Sequence, residues 1–235
     1  MIKVSFIETS YDKMLKTMFT AANPIKKSFK KTECKVHLFI NDSALTILKN
    51  DGYLDEYEFF SKFISDINDG AVWTDQDFKS SNHFYNPSTK KGLYGRRNAM
   101  DVGVEYYEES LKLWKEGKTH ESLFYLGAAL HIIQDMTVSQ HANIRLLDEH
   151  HKYERYVICT YERIEDFKVH NGTYILKSIG DYIRFNARVA IRIQKKFRNI
   201  KDDDTKFYRI SKCGLPLAER TTAGAMVMFY NEIGK

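Results

Sequence analysis

Proline occurs only three times in this chain of 235 residues, at Pro24, Pro87 and Pro216, and between these positions apolar residues recur at intervals of three and four. Proline removes a backbone donor and disfavours helical geometry in the residue before it, so long proline-free stretches are free to wind. The three- and four-residue interval is that of a helix with one apolar face. The expected fold class is therefore all-α, a single compact multi-helix domain. A 43% hydrophobic composition at this length supplies one substantial core.

Helix ends follow from the breakers. Val4, Ile7, Tyr11, Met14, Leu15 and Met18 form a first stripe ended by Asn23-Pro24, and the basic connector KKSFKKTECK follows. Residues 1–35 thus read as a helical extension with its connector, and 36–235 as the main domain. Helices are predicted over 36–50, stopped by Asp51-Gly52, and over 53–69, stopped by Gly70. Others are predicted over 96–116, 119–139, 150–167, 173–197 and 216–233, with Pro216 in a first turn, where its missing N–H costs nothing. The stretch from 70 to 95, rich in Asp, Ser, Asn and Gly, is too long for a simple connection and reads as functional.

Lys and Arg outnumber Asp and Glu by 36 to 31, a formal charge of +5. That balance suits a phosphate-bearing partner without marking a nucleic-acid binder. Cys34, Cys159 and Cys213 are odd in number and far apart, so they suggest neither a disulfide framework nor a CxxC zinc site and favour a reducing compartment. The start, MIKVSFIETSYDK, is interrupted by Lys3, Glu8 and Asp12 before a secretory apolar run could form, which makes a cytoplasmic location the expectation. No stretch approaches the roughly 18 apolar residues of a membrane span, so any membrane contact would be peripheral.

The segment HIIQDMTVSQHAN, residues 131–143, sets His131, Asp135 and His141 inside an otherwise apolar run. His131 and Asp135 are four residues apart and so emerge from one helix face. In HHKYE the pair His150 and Glu154 repeats that spacing, and His150 rather than His151 is a full turn from the acid. Imidazole and carboxylate together suit zinc, and a helix-borne pair offers two ligands with little flexibility to lose. Each histidine taken singly reads more readily as a satisfied core or surface group, and it is the two pairs around a further histidine that point to a metal. His120 and His170 fit no such pattern.

LFYLGAALHIIQDMTVSQHAN followed by HHKYERYV resembles the signature of the bacterial zinc-dependent phospholipases C, the family of the lecithinases and the clostridial alpha-toxin catalytic domain. The fungal single-strand-specific zinc nucleases are more distant relatives of that fold. HLFINDSALTILKNDG around His37, GAVWTDQD, HFYNP at His83 and the ending RTTAGAMVMFYNEIG agree in order along the chain, so the likeness spans about residues 35–235. The resemblance implies that His141, His150 and Glu154 hold one zinc ion. It further implies that Asp75, His83, His131 and Asp135 surround a second, with Asp135 bridging towards a third ion that His37 also binds. Asp75 is placed by the alignment of GAVWTD, although Asp69 and Asp77 lie in the same stretch.

The implied activity is zinc-dependent phosphodiester hydrolysis of the phospholipase C type, on a phospholipid and hence at a membrane surface. Clustered zinc would polarise the phosphoryl oxygens and lower the pKa of a bound water towards about 7. Asp75 would be the catalytic residue that orients or deprotonates that water. Three departures qualify this. The tryptophan whose terminal amine and carbonyl complete the family's third zinc site is absent, since Trp73 and Trp114 are internal. Two zinc ions are therefore expected, with the third site empty, weakly held or completed by another group, for which Cys34 is a candidate. Gln76 and Ser80 stand where family members carry the aromatics of a choline pocket, which argues against a choline-specific lipid. Trp73 and Phe78 offer another recognition surface, or core packing. The alternatives are a nuclease or nucleotide-type phosphoesterase on the same fold, and a non-catalytic zinc-stabilised binding or toxin-like module. The family's habit of secretion is the alternative to a cytoplasmic location, and the sequence leaves the oligomeric state open.

Overall fold

The LGAALHIIQD run lies on α4 (Thr119–Asp135), where every residue from Leu126 to Asp135 is buried. Such a helix can be central only if its neighbours cover all sides, and small residues let them approach. A Cβ on Gly127 would lie 1.9 Å from the Ile67 carbonyl oxygen, and one on Gly70 would lie 1.8 Å from the Phe124 carbonyl oxygen. The backbones of α4 and α2 (Leu54–Thr74) therefore touch at their crossing. Gly70 is thus a packing residue and not the predicted stop. The helix passes through it to Thr74 and delivers Asp75 as its C-terminal cap.

The structure, a computed structural model, describes residues 34–76, 81–93, 97–144 and 150–234. The remaining helices are α1 (Lys35–Asn50), α3 (Ala99–Lys115), α5 (Ser139–Asn143), α6 (His150–Thr160), α7 (Ile179–Phe197) and α8 (Asp203–Ile233), with a 3-10 turn at Glu165–Phe167. Among the described residues the extended backbone pairing is one antiparallel bridge between Asn86 and Lys91. The all-α expectation holds. The predicted first stripe, the connector as far as Glu33, and Asp77, Phe78 and Ser80 lie outside the described residues.

Several boundaries differ from the sequence reading, each for a local reason. The helix predicted over 96–116 begins after Asn98, whose side chain accepts from the Met100 and Asp101 N–H groups while Asp101 returns a bond to the Asn98 N–H. The one predicted over 119–139 breaks at Asp135, where the Thr137 hydroxyl donates to the Gln134 carbonyl at 2.8 Å and closes the last turn. His141 therefore arrives on the separate short α5. The helix expected to reach 167 stops at Thr160, whose hydroxyl donates to the Tyr156 carbonyl at 2.7 Å. The one expected from 173 starts after its cap, Ser178.

The largest revision is α8, which begins at the Asp202 cap and carries Pro216 in its interior rather than its first turn. The Asp202 carboxylate accepts from the Thr205 N–H at 2.8 Å, and Phe207, Ile210, Gly214 and Leu215 bury the turns before the proline. Pro216 deprives the Lys212 carbonyl of its helical donor, and Lys212 is exposed, so water can take that donor's place.

The main core lies between α1, α2, α3, α4, α7 and α8, and a smaller one, with Ile40, Tyr153, Phe167 and Phe207, joins α1 and α6 to α8. With this order, the first turn of α1, the ends of α2 and α4, all of α5 and the start of α6 meet at one end of the bundle.

Candidate metal centre

Asp135 closes α4 and is 5% exposed. Its Oδ2 lies 2.8 Å from His83 Nδ1, 3.2 Å from His131 Nε2 and 3.9 Å from His141 Nδ1, while Oδ1 lies 3.5 Å from His37 Nε2. One carboxylate thus faces four imidazoles. His131 comes from the same helix one turn earlier, His37 from α1, His83 from the segment before α3, and His141 from α5.

Three sets of donor atoms converge, each within 4.8 Å: His37, His131 and Asp135; Asp75, His83 and His131; and His141, His150 and Glu154. All eight residues singled out in the sequence are therefore brought together. Asp75 joins the centre, whereas Asp69 is exposed on α2. His150 Nε2 lies 2.8 Å from Glu154 Oε1 and 3.2 Å from His141 Nε2, whereas His151 points outward with 88% of its side chain exposed. His120 and His170 are remote, exposed partners of Asp66 and Glu165. Cys34, at the start of α1, stands outside the three sets, and its thiol donates to Asp75 Oδ2 at 3.4 Å. Trp73 packs edge-on or tilted against Tyr106, Phe124 and Tyr125, while Gln76 is exposed.

His83 Nε2, both ring nitrogens of His131 and Asp135 Oδ2 are buried without a hydrogen-bond partner, although each lies among polar atoms. A buried polar group without a partner costs a few kcal/mol. Donor atoms gathered within 4.8 Å of one another and left without hydrogen-bond partners suit a shared cation. The mixed set of imidazole nitrogens and carboxylate oxygens suits zinc. The residues therefore fit the metal.

The charge balance agrees. Burial alone would raise the Asp135 pKa, but the His131 and His141 imidazoles outweigh it and hold the carboxylate well below its ordinary value. Burial would lower His131, and Asp135 overcomes this and raises it. His141 is pushed up to about 9, burial being outweighed by Asp135 and Glu154. Glu154 is drawn down to about 2, burial being outweighed by His141 and His150. His37, dominated by burial with His131 beside it, falls to about 4. The carboxylates thus call for positive charge beside them.

Two ring orientations are fixed from outside the cluster. His141 Nδ1 donates to the His83 carbonyl at 3.0 Å, and its ring stacks on Phe84 at 4.7 Å. His37 Nδ1 lies 2.8 Å from Gln134 Oε1, and Gln134 Nε2 donates to Asn41 Oδ1 at 2.8 Å and to Thr222 Oγ1 at 3.1 Å. Sequence reasoning passed over Gln134, Asn41 and Thr222. The available signal was Gln134 itself, a polar side chain beside Asp135 in an apolar run.

Comparison with known proteins agrees with this geometry. The family model described as zinc dependent phospholipase C matches residues 36–210. A phospholipase C of Listeria monocytogenes is 27% identical over 204 residues, covering 79% of this chain and 68% of that protein. A phospholipase C of Bacillus cereus is 26% identical over 190 residues, covering 72% of this chain and 65% of that protein. The alpha toxin of Clostridium absonum superposes with a TM-score of 0.73 at 17% identity, covering 85% of this chain and 64% of that one. This chain thus spans about two thirds of the length of these relatives. The extent of the family match, over the same residues that converge on Asp135, places the chain in the zinc-dependent phospholipase C family.

Proposed function

We propose that this chain hydrolyses phosphodiesters by the phospholipase C reaction, with a phospholipid as the substrate class, and that 36–235 is its catalytic domain behind the 1–35 extension. The observation that carries the reading is His131, whose two ring nitrogens are buried without hydrogen-bond partners between the carboxylates of Asp75 and Asp135. On this reading His141, His150 and Glu154 hold one zinc ion. Asp75, His83, His131 and Asp135 surround a second, and Asp135 and His37 reach a third.

When bound, zinc supplies a Lewis acid for the phosphoryl oxygens and acidifies a coordinated water to a pKa of about 7. The chain's own contribution is position and proton handling. Asp75 caps α2 at the partly open side of the cluster, where its carboxylate orients the attacking water and accepts its proton. His37 and Glu154 are also partly open, while His83 and His131 are only 1% exposed. The phosphoester therefore enters across Asp75 and Glu154, and the buried imidazoles close the floor against bulk water. Among the described residues no helix is long and apolar enough to cross a membrane, so on this reading the lipid is met from a peripheral position.

The test is elemental analysis of the purified full chain, then hydrolysis of a short-chain phospholipid, bis-p-nitrophenyl phosphate and single-stranded DNA, with and without chelator. At least two zinc ions per chain and chelator-sensitive release of phosphorylated headgroup are expected. Cleavage of DNA alone would make the protein a nuclease, and bound zinc without hydrolysis a binding module. Asp75→Asn should keep the fold and lower turnover by on the order of 100-fold or more.

A further inference from the structure

Gln134 is 1% exposed, and its carboxamide can donate two hydrogen bonds while its oxygen only accepts. Both N–H groups are committed, one to Asn41 Oδ1 at 2.8 Å and one to Thr222 Oγ1 at 3.1 Å. Asn41 shows its oxygen to Gln134 because its own Nδ2 donates to Asn68 Oδ1 at 2.8 Å. Asn41 and Thr222 are fully buried, so neither can turn to water for a substitute partner. Turning the Gln134 amide over would set its oxygen against the Asn41 oxygen, which can only accept, even though the Thr222 hydroxyl could turn to donate. The Gln134 oxygen is thereby fixed 2.8 Å from His37 Nδ1.

An amide oxygen has no hydrogen to give, so His37 Nδ1 must carry one. Its Nε2 is left with a lone pair, directed into the set it forms with His131 and Asp135. There it lies 3.5 Å from Asp135 Oδ1, another electron-rich atom, an arrangement that a cation between the two would satisfy.

We propose that Gln134 is a positioning residue that locks His37 as the Nδ1–H tautomer and so prepares Nε2 as a zinc ligand. This inference rests on His37 being a ligand, as proposed above. It adds that the ligand's readiness depends on a chain of side chains crossing four helices: Asn68 on α2, Asn41 on α1, Gln134 on α4 and Thr222 on α8. Residues that orient a metal-bound histidine in this way typically change metal affinity 10- to 100-fold. The other set obtains the same orientation of His141 more simply, from the His83 backbone carbonyl.

The experiment has two arms on the full, zinc-loaded chain. Long-range proton–nitrogen NMR of the imidazoles should show His37 protonated at Nδ1, and that reading needs no variant. Chelator competition should show that Gln134→Met weakens one zinc equivalent by about 10- to 100-fold while the zinc of His141, His150 and Glu154 keeps its affinity. A proton on Nε2, or unchanged affinities in Gln134→Met, would overturn the role of Gln134. Equal weakening of every zinc equivalent would also overturn it, because that is general loosening of the fold. His37→Ala separates the two layers: unchanged zinc content there removes His37 from the ligand set and defeats the underlying reading too. One equivalent lost in His37→Ala with none weakened in Gln134→Met defeats this inference alone.

Discussion

The end of the bundle that gathers the histidines and the seam between α8 and the segment after the 3-10 turn each bury a carboxylate, and they treat it in opposite ways. Asp135 meets four imidazoles within 3.9 Å and is held well below the ordinary carboxylate range. Glu219 is 0% exposed, accepts one backbone hydrogen bond from Val169 at 2.8 Å, and has its second oxygen unpartnered. Burial pushes its pKa up to about 8, against the weaker pull of the Val169 N–H, Arg220 and Lys168. Desolvation acts on both groups in the same direction. The neighbours decide the outcome, and only the Asp135 end has gathered enough donors to keep a negative charge in the interior.

Asp135→Ala should break the comparison most severely. It strands four histidines and removes the carboxylate shared by the proposed second and third zinc ions. Zinc content should fall to about one ion per chain, and urea unfolding should show a loss of about 3–5 kcal/mol. Retention of all zinc would mean that the buried carboxylate is not a ligand and that its histidines are a proton-charged structural cluster. Glu154→Gln sharpens the same contrast from the rim. Its side chain is 30% exposed and belongs to one set of donors, so one zinc equivalent should be lost, with a stability change nearer 2 kcal/mol. Equal losses in the two variants would erase the distinction between centre and rim.

That distinction also marks what the sequence could reveal. The His131/Asp135 and His150/Glu154 pairs are legible because a helix turns one spacing into one face, whatever surrounds it. Asp75, His83 and His37 reach the centre from segments 48–98 residues away from His131 or Asp135, and no local period encodes that approach. They were found by resemblance to a family. The helix ends that were misread failed for tertiary reasons: Gly70 looks like a terminator until Phe124 is seen lying against it, and Pro216 looks like a start until the Asp202 cap is seen 14 residues earlier. The Gln134 network was illegible for the same reason, since its partners Asn41 and Thr222 lie 93 and 88 residues away.

Glu219 supplies the smallest and most discriminating test, because removing its charge should help the fold. Its pKa in the folded chain, about 8, lies above the ordinary glutamate value of 4.5. The folded state therefore holds a proton that the unfolded chain releases between these values. A group raised in this way contributes fully below about pH 4.5, and its contribution is lost as pH rises through 8. Glu219→Gln keeps an acceptor for the Val169 N–H and cannot ionise. Measured at saturating zinc, where metal contributions are common to both proteins, the variant should gain on the parent by roughly 1–2 kcal/mol between pH 5 and pH 6.5, and by more as the pH approaches 8. A gap between the two unfolding curves that stays constant with pH would show that Glu219 ionises normally. The opposite treatment of the two carboxylates would then have to be explained by something other than the company each keeps.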